Sequence, residues 1–255
     1  MEIKTVLITQ ARTGSTRLPG KVLMEVNQTP LLKIHLDRLK KSKRVNKIIV
    51  ATTNNVEDDI IEKLSMKWGH EVFRGSENDV LDRFYQAVKN INPSWVVRIT
   101  SDCPLIDPKL IDEVIEYSQI NNIDYCSNTL VENFPDGQDV EVFRFSVLEY
   151  AWENALKKSD REHVTPFIRK NCDYMGGKMF KSMNYPCEFD FNAVRITVDE
   201  QRDFDLIQYI IKQLGRDKSW KEYVDYIIQN DLTKINDKII RNKGYIKSLK
   251  NDING

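Results

Sequence analysis

The first half of the chain alternates short β-branched runs with longer segments of helical periodicity, joined by only a few residues. Strands are expected at about 4–10, at Lys47–Thr53, at Glu71–Phe73 and at Trp95–Thr100. Helices are expected at about 30–43, where Leu31, Leu32, Ile34, Leu36 and Leu39 fall near helical spacing, and at about 56–68 and 78–91. Parallel strands cannot be joined by a tight turn, so this rhythm implies an α/β fold, a mainly parallel sheet with helices on both faces. Ligands of such sheets sit at the carboxyl ends of the strands. That rule directs attention to the loops at about 10–21, 52–55, 74–79 and 101–107, which hold most of the conspicuous polar side chains. From about 124 to 190 the rhythm breaks into expected strands at 125–129, 139–145 and 178–183 and helices at 145–157 and 160–170, a pattern suited to an inserted lid or association arm. Val194–Val198 reads as a return strand, followed by a helix at about 200–213 and a lysine-rich helical tail from Trp220. The implied organisation is one domain over 1–215 containing that insertion, with a helical extension over 216–255 whose charges read as a solvated surface.

Composition removes other classes. With 41% hydrophobic and 30% charged residues, and only 10 Gly and 8 Pro in 255, the chain is neither collagen-like nor disordered. Lys plus Arg and Asp plus Glu balance at 38 each, so no global positive field points to nucleic acid, and any anion site must be local. Apolar runs such as Ile48–Ala51 are far short of a bilayer span, and the opening Met1-Glu2-Ile3-Lys4 does not read as a secretory leader, so no membrane insertion and a cytoplasmic location are expected. Cys103, Cys126, Cys172 and Cys187 are widely separated and read as free thiols.

The strongest local signal is Gln10-Ala-Arg-Thr-Gly-Ser-Thr-Arg-Leu-Pro-Gly-Lys, directly after the first strand. Gly14 allows close backbone approach, Ser15 and Thr16 offer hydroxyls, and Arg12, Arg17 and Lys21 place three cations within ten residues. A triphosphate needs this combination of donors and positive charge. The spacing matches neither the P-loop nor the dinucleotide-binding glycine pattern. In Thr100-Ser-Asp-Cys-Pro-Leu-Ile-Asp and Arg195-Ile-Thr-Val-Asp-Glu, Asp102 and Asp199 end apolar runs, where two carboxylates on neighbouring strand ends would hold one magnesium ion (Mg2+) against phosphates. A turn for Asp102 and a helix cap for Asp199 are the alternatives, and for Asp107 the cap of the helix starting at Pro108 is the preferred reading.

Taken in order, the glycine-bearing basic loop, Ser101-Asp-Cys-Pro-Leu-Ile-Asp and Thr197-Val-Asp resemble the cytidylyltransferase superfamily of CMP-Kdo and CMP-sialic acid synthetases, most closely the spore coat polysaccharide biosynthesis protein F group. Val50-Ala-Thr-Thr, Phe73-Arg-Gly-Ser-Glu-Asn-Asp-Val-Leu-Asp-Arg-Phe, Pro135-Asp-Gly-Gln-Asp-Val-Glu-Val-Phe and Asp160-Arg-Glu-His-Val-Thr-Pro-Phe extend the similarity over about residues 4–210. The resemblance implies a nucleotide-diphospho-sugar transferase (GT-A-like) fold, with CTP and magnesium as cosubstrates and a CMP-activated sugar acid and pyrophosphate as products. It implies that Arg12, Ser15, Arg17 and Lys21 handle the triphosphate, and that the Ala11 backbone, Thr52, Thr53 and Ser101 lie against the nucleotide. Arg12 and Lys21 would stabilise charge at the reacting phosphorus, and Asp102 and Asp199 would hold the magnesium. It also implies a homodimer formed through the inserted segment.

The Arg17-Leu-Pro-Gly-Lys stretch resembles CMP-Kdo synthetases, while Asp136-Gly-Gln-Asp-Val-Glu and Arg161-Glu-His differ from the acceptor regions of either synthetase, so the acceptor stays open. Arg74 is expected to contact an acceptor carboxylate, and Asp139, Glu141, Arg161, Glu162 and His163 to form the acceptor pocket. Asp82 and Arg83 read equally well as a solvated helix face, His35 and His70 as surface or packing residues, and Phe84, Tyr85, Phe143, Phe145, Tyr150 and Trp152 as core. A nucleotidyltransferase with another acceptor or nucleotide, a glycosyltransferase and a non-catalytic nucleotide-binding homologue are the competing readings. The Arg12, Arg17 and Lys21 cluster argues against the glycosyltransferase, and the joint presence of Lys21, Asp102 and Asp199 against the last.

Overall fold

The computed structural model describes residues 4–254, so Met1-Glu2-Ile3 of the opening segment and Gly255 of the extension lie outside the described residues. Strands β1 (Thr5–Gln10), β4 (Lys47–Thr53), β5 (Glu71–Gly75), β6 (Trp95–Thr100), β7 (Tyr125–Ser127), β8 (Glu141–Arg144) and β9 (Ser182–Asn184) form one sheet in the order β5-β4-β1-β6-β8-β7-β9. Only β8 runs against its neighbours, pairing antiparallel with β6 and β7. A small separate hairpin, β2 (Glu25–Val26) with β3 (Thr29–Pro30), follows the basic loop.

The order explains where the cleft opens. After β1 the chain builds outward through β4 and β5, then returns to add β6 on the other side of β1. Gln10 lies in register with Ala51 on one side and Thr100 on the other, so β1 and β6 end level and β4 runs two residues further. The connections leaving β1 and β6 depart in opposite directions, and the gap between them is the ligand crevice of an open α/β sheet.

Alternation of side chains along the strands builds two cores. Leu7, Val50, Val97 and Ile99 pack with α1 (Leu31–Leu39), α4 (Pro108–Ile120), α8 (Gln201–Leu214) and α9 (Trp220–Gln229) on one face. Val6, Ile8, Ile49, Ala51 and Val96 pack with α3 (Val80–Val88) and α5 (Phe145–Asn154) on the other. The remaining helix of the first half, α2 (Asp59–Lys67), sends Ile61 into the first core. Asp107 caps α4, accepting from the Lys109 amide at 2.9 Å. No helix among the described residues is long and apolar enough to cross a membrane.

Several expectations are corrected. Val194–Val198 forms no strand of the sheet: its one ladder contact is the Asp136–Arg195 bridge. Val194, Ile196 and Val198 are buried because the segment lies across the first core, and its amides bond to loops, Ile196 N to Asp136 O and Val198 N to Asp102 O. The helix expected at 160–170 is two, α6 (Lys158–His163) and α7 (Pro166–Asn171), broken where Val164 has φ of +71° and Pro166 supplies no amide hydrogen. Tyr150 is 38% exposed rather than core, whereas Tyr85 stacks on Trp152 with ring centroids 4.1 Å apart. Trp152 Nε1 donates to Asp82, and Arg83 is only 3% exposed, so that side of α3 is packed rather than solvated.

The Pro135-Asp-Gly-Gln-Asp turn fixes the distance between two parts of the cleft. Gln138 accepts from the Asp107 amide and donates to Leu105 O, gripping the loop after β6. Gly137 sits at φ of +106°, and a Cβ there would lie 2.7 Å from the backbone of Ile196 and Thr197. Gly137→Ala is expected to cost about 2 kcal/mol or more in urea unfolding, through strain and forced separation of these segments. An unfolding midpoint equal to that of the parent protein would contradict this packing.

Candidate active site

A cavity of about 790 Å3 opens at the carboxyl ends of β1 and β6. One end is the basic loop. The Thr13 amide and hydroxyl both donate to Asp58 Oδ1 at 2.7 Å, and Asp58 also accepts from Thr53 Oγ1, so the loop is tied to the end of β4. Arg12 is held by Glu77 at 2.8 Å. Lys21 points inward, its Nζ 3.2 Å from Asp102 Oδ2, 2.8 Å from Asp199 Oδ1 and 2.7 Å from Val198 O. Arg17 reaches Asp199 at 2.8 Å. Burial opposes the charge on Lys21, but the two carboxylates outweigh it and hold the ammonium above its ordinary pKa. Burial likewise opposes ionisation of Asp102, and Lys21 with hydrogen bonds from Thr100 and Cys103 drives its pKa far below the carboxylate range. Lys21 and Asp102 are thereby fixed as charges.

Their supports are buried. Arg195 binds Asp136, Asp199 at 2.8 Å and Asp203 at 2.8 Å, and Asp203 accepts from the Asp199 and Glu200 amides. Thr197 Oγ1 donates to Asp102 O at 3.0 Å. His35, fully buried on α1, bonds Thr9 Oγ1 and Cys103 O, both at 2.9 Å, and so pins the turn that carries Asp102.

The far end of the cavity is built differently. Glu141 accepts from Arg98 at 2.5 Å and from the Tyr125 hydroxyl at 2.6 Å. Burial would raise its pKa, yet Arg98 and Arg169 lower it overall. Asp139 is bound by Arg241 at 2.8 Å. Glu162 and His163 of α6 face the same space, and burial holds His163 below its ordinary pKa despite Glu162.

The structure therefore gathers Ala11, Arg12, Ser15, Thr16, Arg17, Lys21, Ser101, Asp102 and Asp199 with Asp139, Glu141, Glu162 and His163 around one cavity. Five expected residues do not line it. Arg74 is turned away to Asp59, Glu62 and the carbonyls of Thr53 and Asn55, because α2 supplies carboxylates nearer than the cleft. Arg161 is bound to Asp79 and to the carbonyls of Trp152 and Ala155, bracing α6 against α3 and α5. Thr52 and Thr53 are fully buried beneath the loop, and Gly14 lies at its outer side, beside Glu77. Thr53 serves the site through Asp58. Arg83, left open between the cleft and a solvated helix face, lines the cavity, as do Arg98, Arg169 and the C-terminal Tyr245 and Lys247, which the sequence did not single out. Arg98 carried a signal, a lone cation in the apolar run Trp95-Val-Val-Arg-Ile-Thr. Arg83 is pushed down to about 10, by burial first and by Arg12 beside it.

Such a cleft, cationic at one end and carrying both signs at the other, suits a nucleoside triphosphate and a second polar substrate. The cytidylyltransferase profile matches residues 6–239. The chain belongs to the cytidylyltransferase family. As a member of it, the protein is a nucleotidyltransferase that uses CTP. It is 42% identical over 244 residues to an uncharacterized protein of Methanocaldococcus jannaschii, covering 95% of this chain and 98% of that one. It is 34% identical to the spore coat polysaccharide biosynthesis protein SpsF of Bacillus subtilis, over 88% of this chain and 94% of that protein. A 3-deoxy-manno-octulosonate cytidylyltransferase of Bartonella tribocorum shares 33% identity over 44% of this chain and 46% of its own length. A cytidylyltransferase structure from Leptospira borgpetersenii superposes with a TM-score of 0.84 at 33% identity, covering 94% of this chain and 100% of that one. The fold expected from the sequence is thus the fold of this family.

Among the described residues no group of three or more His, Cys, Asp or Glu is arranged for a metal. For this cytidylyltransferase the fit rests on two carboxylates, Asp102 and Asp199, drawn together around Lys21. A pair of that kind suits Mg2+, which keeps much of its shell as water and substrate phosphate.

The buried imidazole gives a direct test of the site's support. Burial lowers His35 from 6.5 to about 4, against the bond that its Nδ1 donates to Cys103 O. Its folded pKa lies below the unfolded one, so its contribution is full above about 6.5 and is lost as pH falls toward 4, by about 3 kcal/mol in all. NMR titration should show the His35 ring neutral at pH 5.5; a midpoint above 6 would contradict the buried arrangement.

Proposed function

We propose that this cytidylyltransferase transfers CMP from CTP to a sugar acid, of the nonulosonic or Kdo type, releasing pyrophosphate and supplying an activated sugar for surface glycan synthesis. The observation that carries the reading is one continuous cavity. Lys21, shared by Asp102 and Asp199, stands at one end beside the basic loop, and Arg98 and Arg169 stand with Glu141 and Glu162 at the other. The first end receives the triphosphate. The second offers guanidinium groups to an acid and carboxylates to hydroxyls. The kinship with a 3-deoxy-manno-octulosonate cytidylyltransferase supports a sugar-acid acceptor, and that with a spore coat polysaccharide biosynthesis protein supports the glycan role.

An acceptor hydroxyl oxygen forms the new bond to the α-phosphorus of CTP as the bond to the pyrophosphate oxygen breaks, and the hydroxyl proton is released. Arg12 and Lys21 face the phosphates, where fixed cations stabilise charge that grows in the transition state. Asp102 and Asp199 would hold Mg2+, which when bound neutralises phosphate charge and orients the leaving group. Arg195 and Thr197 keep the two carboxylate-bearing segments at fixed separation. Tyr174, Met175, Met179 and Phe189 expose between 48% and 62% of their surface in the inserted segment, which supports a homodimer formed there, to be read by light scattering.

Pyrophosphate release should occur with CTP, not ATP, GTP or UTP, and with a member of a panel of Kdo, sialic, legionaminic and pseudaminic acids. Release only with a polyol phosphate would sink the sugar-acid acceptor and leave CTP use standing. Asp102→Asn and Asp199→Asn should each lower kcat at least about 100-fold at limiting magnesium with the circular dichroism spectrum unchanged. Wild-type rates in either variant would remove that residue as a ligand.

A further inference from the structure

The lysine-rich end of the chain keeps its lysines exposed, as expected of a solvated surface, yet one side of it is also part of the cavity wall. Helix α10 (Lys243–Asn254) lies beyond the 6–239 match to the family profile. Lys247, Ser248 and Asn251, spaced three and four apart on one helical face, line the cavity together with Lys243 and Tyr245. The helix is delivered by an anchored stem. Asn236 is 2% exposed and donates to Arg195 O and Asp203 Oδ1, and Arg241 reaches Asp139, Asn192 and Phe134 O. Along its length α10 meets α6. Ser248 Oγ donates to Glu162 Oε2 at 2.8 Å and bonds His163 Nε2 at 3.0 Å, Tyr245 stands edge-on to His163 with centroids 5.1 Å apart, and Asp252 accepts from Ser159.

We propose that α10 is the closing wall of the acceptor subsite, and that Lys247 and Tyr245 of α10, opposite Arg169 of α7, bind the acceptor as an anion bearing several hydroxyls. The inference rests on the acceptor reading above and adds to it a segment outside the family match. The chemistry is one-sided. Arg169 and Lys247 have no ion-pair partner among the described residues, although carboxylates crowd this end of the cavity. Arg169 makes a single side-chain hydrogen bond, to Thr129 O at 3.0 Å, and its remaining donors are free for a ligand. A carboxylate or phosphate between the two walls would satisfy both cations, while Ser248, Glu162 and Asn251 offer mixed donors and acceptors of the kind a sugar's hydroxyls use. The phosphate end lies elsewhere in the cavity, on Lys21 and Arg17, so α10 reads the acceptor without touching the groups assigned to CTP.

The test uses the full chain and whichever acceptor supports turnover in the panel. Lys247→Glu, Tyr245→Ala and Arg169→Met should each raise the KM for the acceptor at least about tenfold, while kcat and the KM for CTP stay within about twofold. Lys250→Glu makes the same charge change on an exposed position of α10 outside the cavity lining and should leave the acceptor KM unchanged. Unchanged acceptor KM in Lys247→Glu and Tyr245→Ala, or an equal rise in Lys250→Glu, would overturn the proposal. A wild-type enzyme that binds CTP but turns over no acceptor would instead defeat the parent reading, and this one with it.

Discussion

The ammonium of Lys21 between Asp102 and Asp199 sets the terms for the rest of the molecule. Its side chain is only 11% exposed, and charges so far from water must be paired or they cost several kcal/mol. Each partner must then be satisfied in turn. Asp199 needs Arg195, Arg195 also binds Asp136 and Asp203, and Asp136 and Asp139 lie against Arg241. Five segments from distant parts of the chain are drawn into one connected set of charges in this way. Displacing one segment would leave a buried charge unpaired, which is why the cleft can be polar and still well defined. The shape of the cleft follows from charge balance as much as from apolar packing.

Much of the frame was legible in the sequence. The strand-helix rhythm gave the parallel sheet, and the rule that ligands lie at strand carboxyl ends selected the basic loop and Asp102, whereas Asp199 was picked out after an apolar run that forms no strand. Asp107 was read correctly as a helix cap from its place before Pro108. What failed to be legible depends on which neighbour a side chain meets first. Arg74 and Arg161 sit in motifs of the right composition, yet α2 and α3 offer them carboxylates before the cleft does. Thr53 acts through Asp58, a relay that no local pattern records. Val194–Val198 alternates as a strand would because one side is buried, and burial produces that pattern with or without ladder hydrogen bonds. Arg83 was left open between the cleft and a solvated face, and the residues of α10 were placed at the surface, because charged helical faces usually are. Only long-range packing put them in the cavity.

The division of the cavity follows from the same topology. β1 supplies the loop that meets phosphate, and β8, the one reversed strand, brings Glu141 beside Arg98 from the opposite direction. The reversal lets a segment of the inserted region enter the sheet directly next to β6, so that the second substrate can be met by parts of the chain that differ from those holding the first. Changes in the helices above β8 could then alter acceptor choice while leaving the nucleotide end as it is.

The bond from Lys21 to Asp199 joins residues 178 positions apart in the chain. Contacts of such long sequence separation carry a large loop-closure cost and form late in folding. During synthesis the left half of the sheet, β1 with β4 and β5, has all its pairing residues available well before Asp199 leaves the ribosome. Until then Lys21 has at most one of its two anionic partners, and the basic loop stands beside a half-built sheet edge. Assembly of the cleft therefore joins both ends of the chain's main domain: a molecule in which Lys21 has met both partners has brought together the loop after β1, the loop after β6 and the segment before α8.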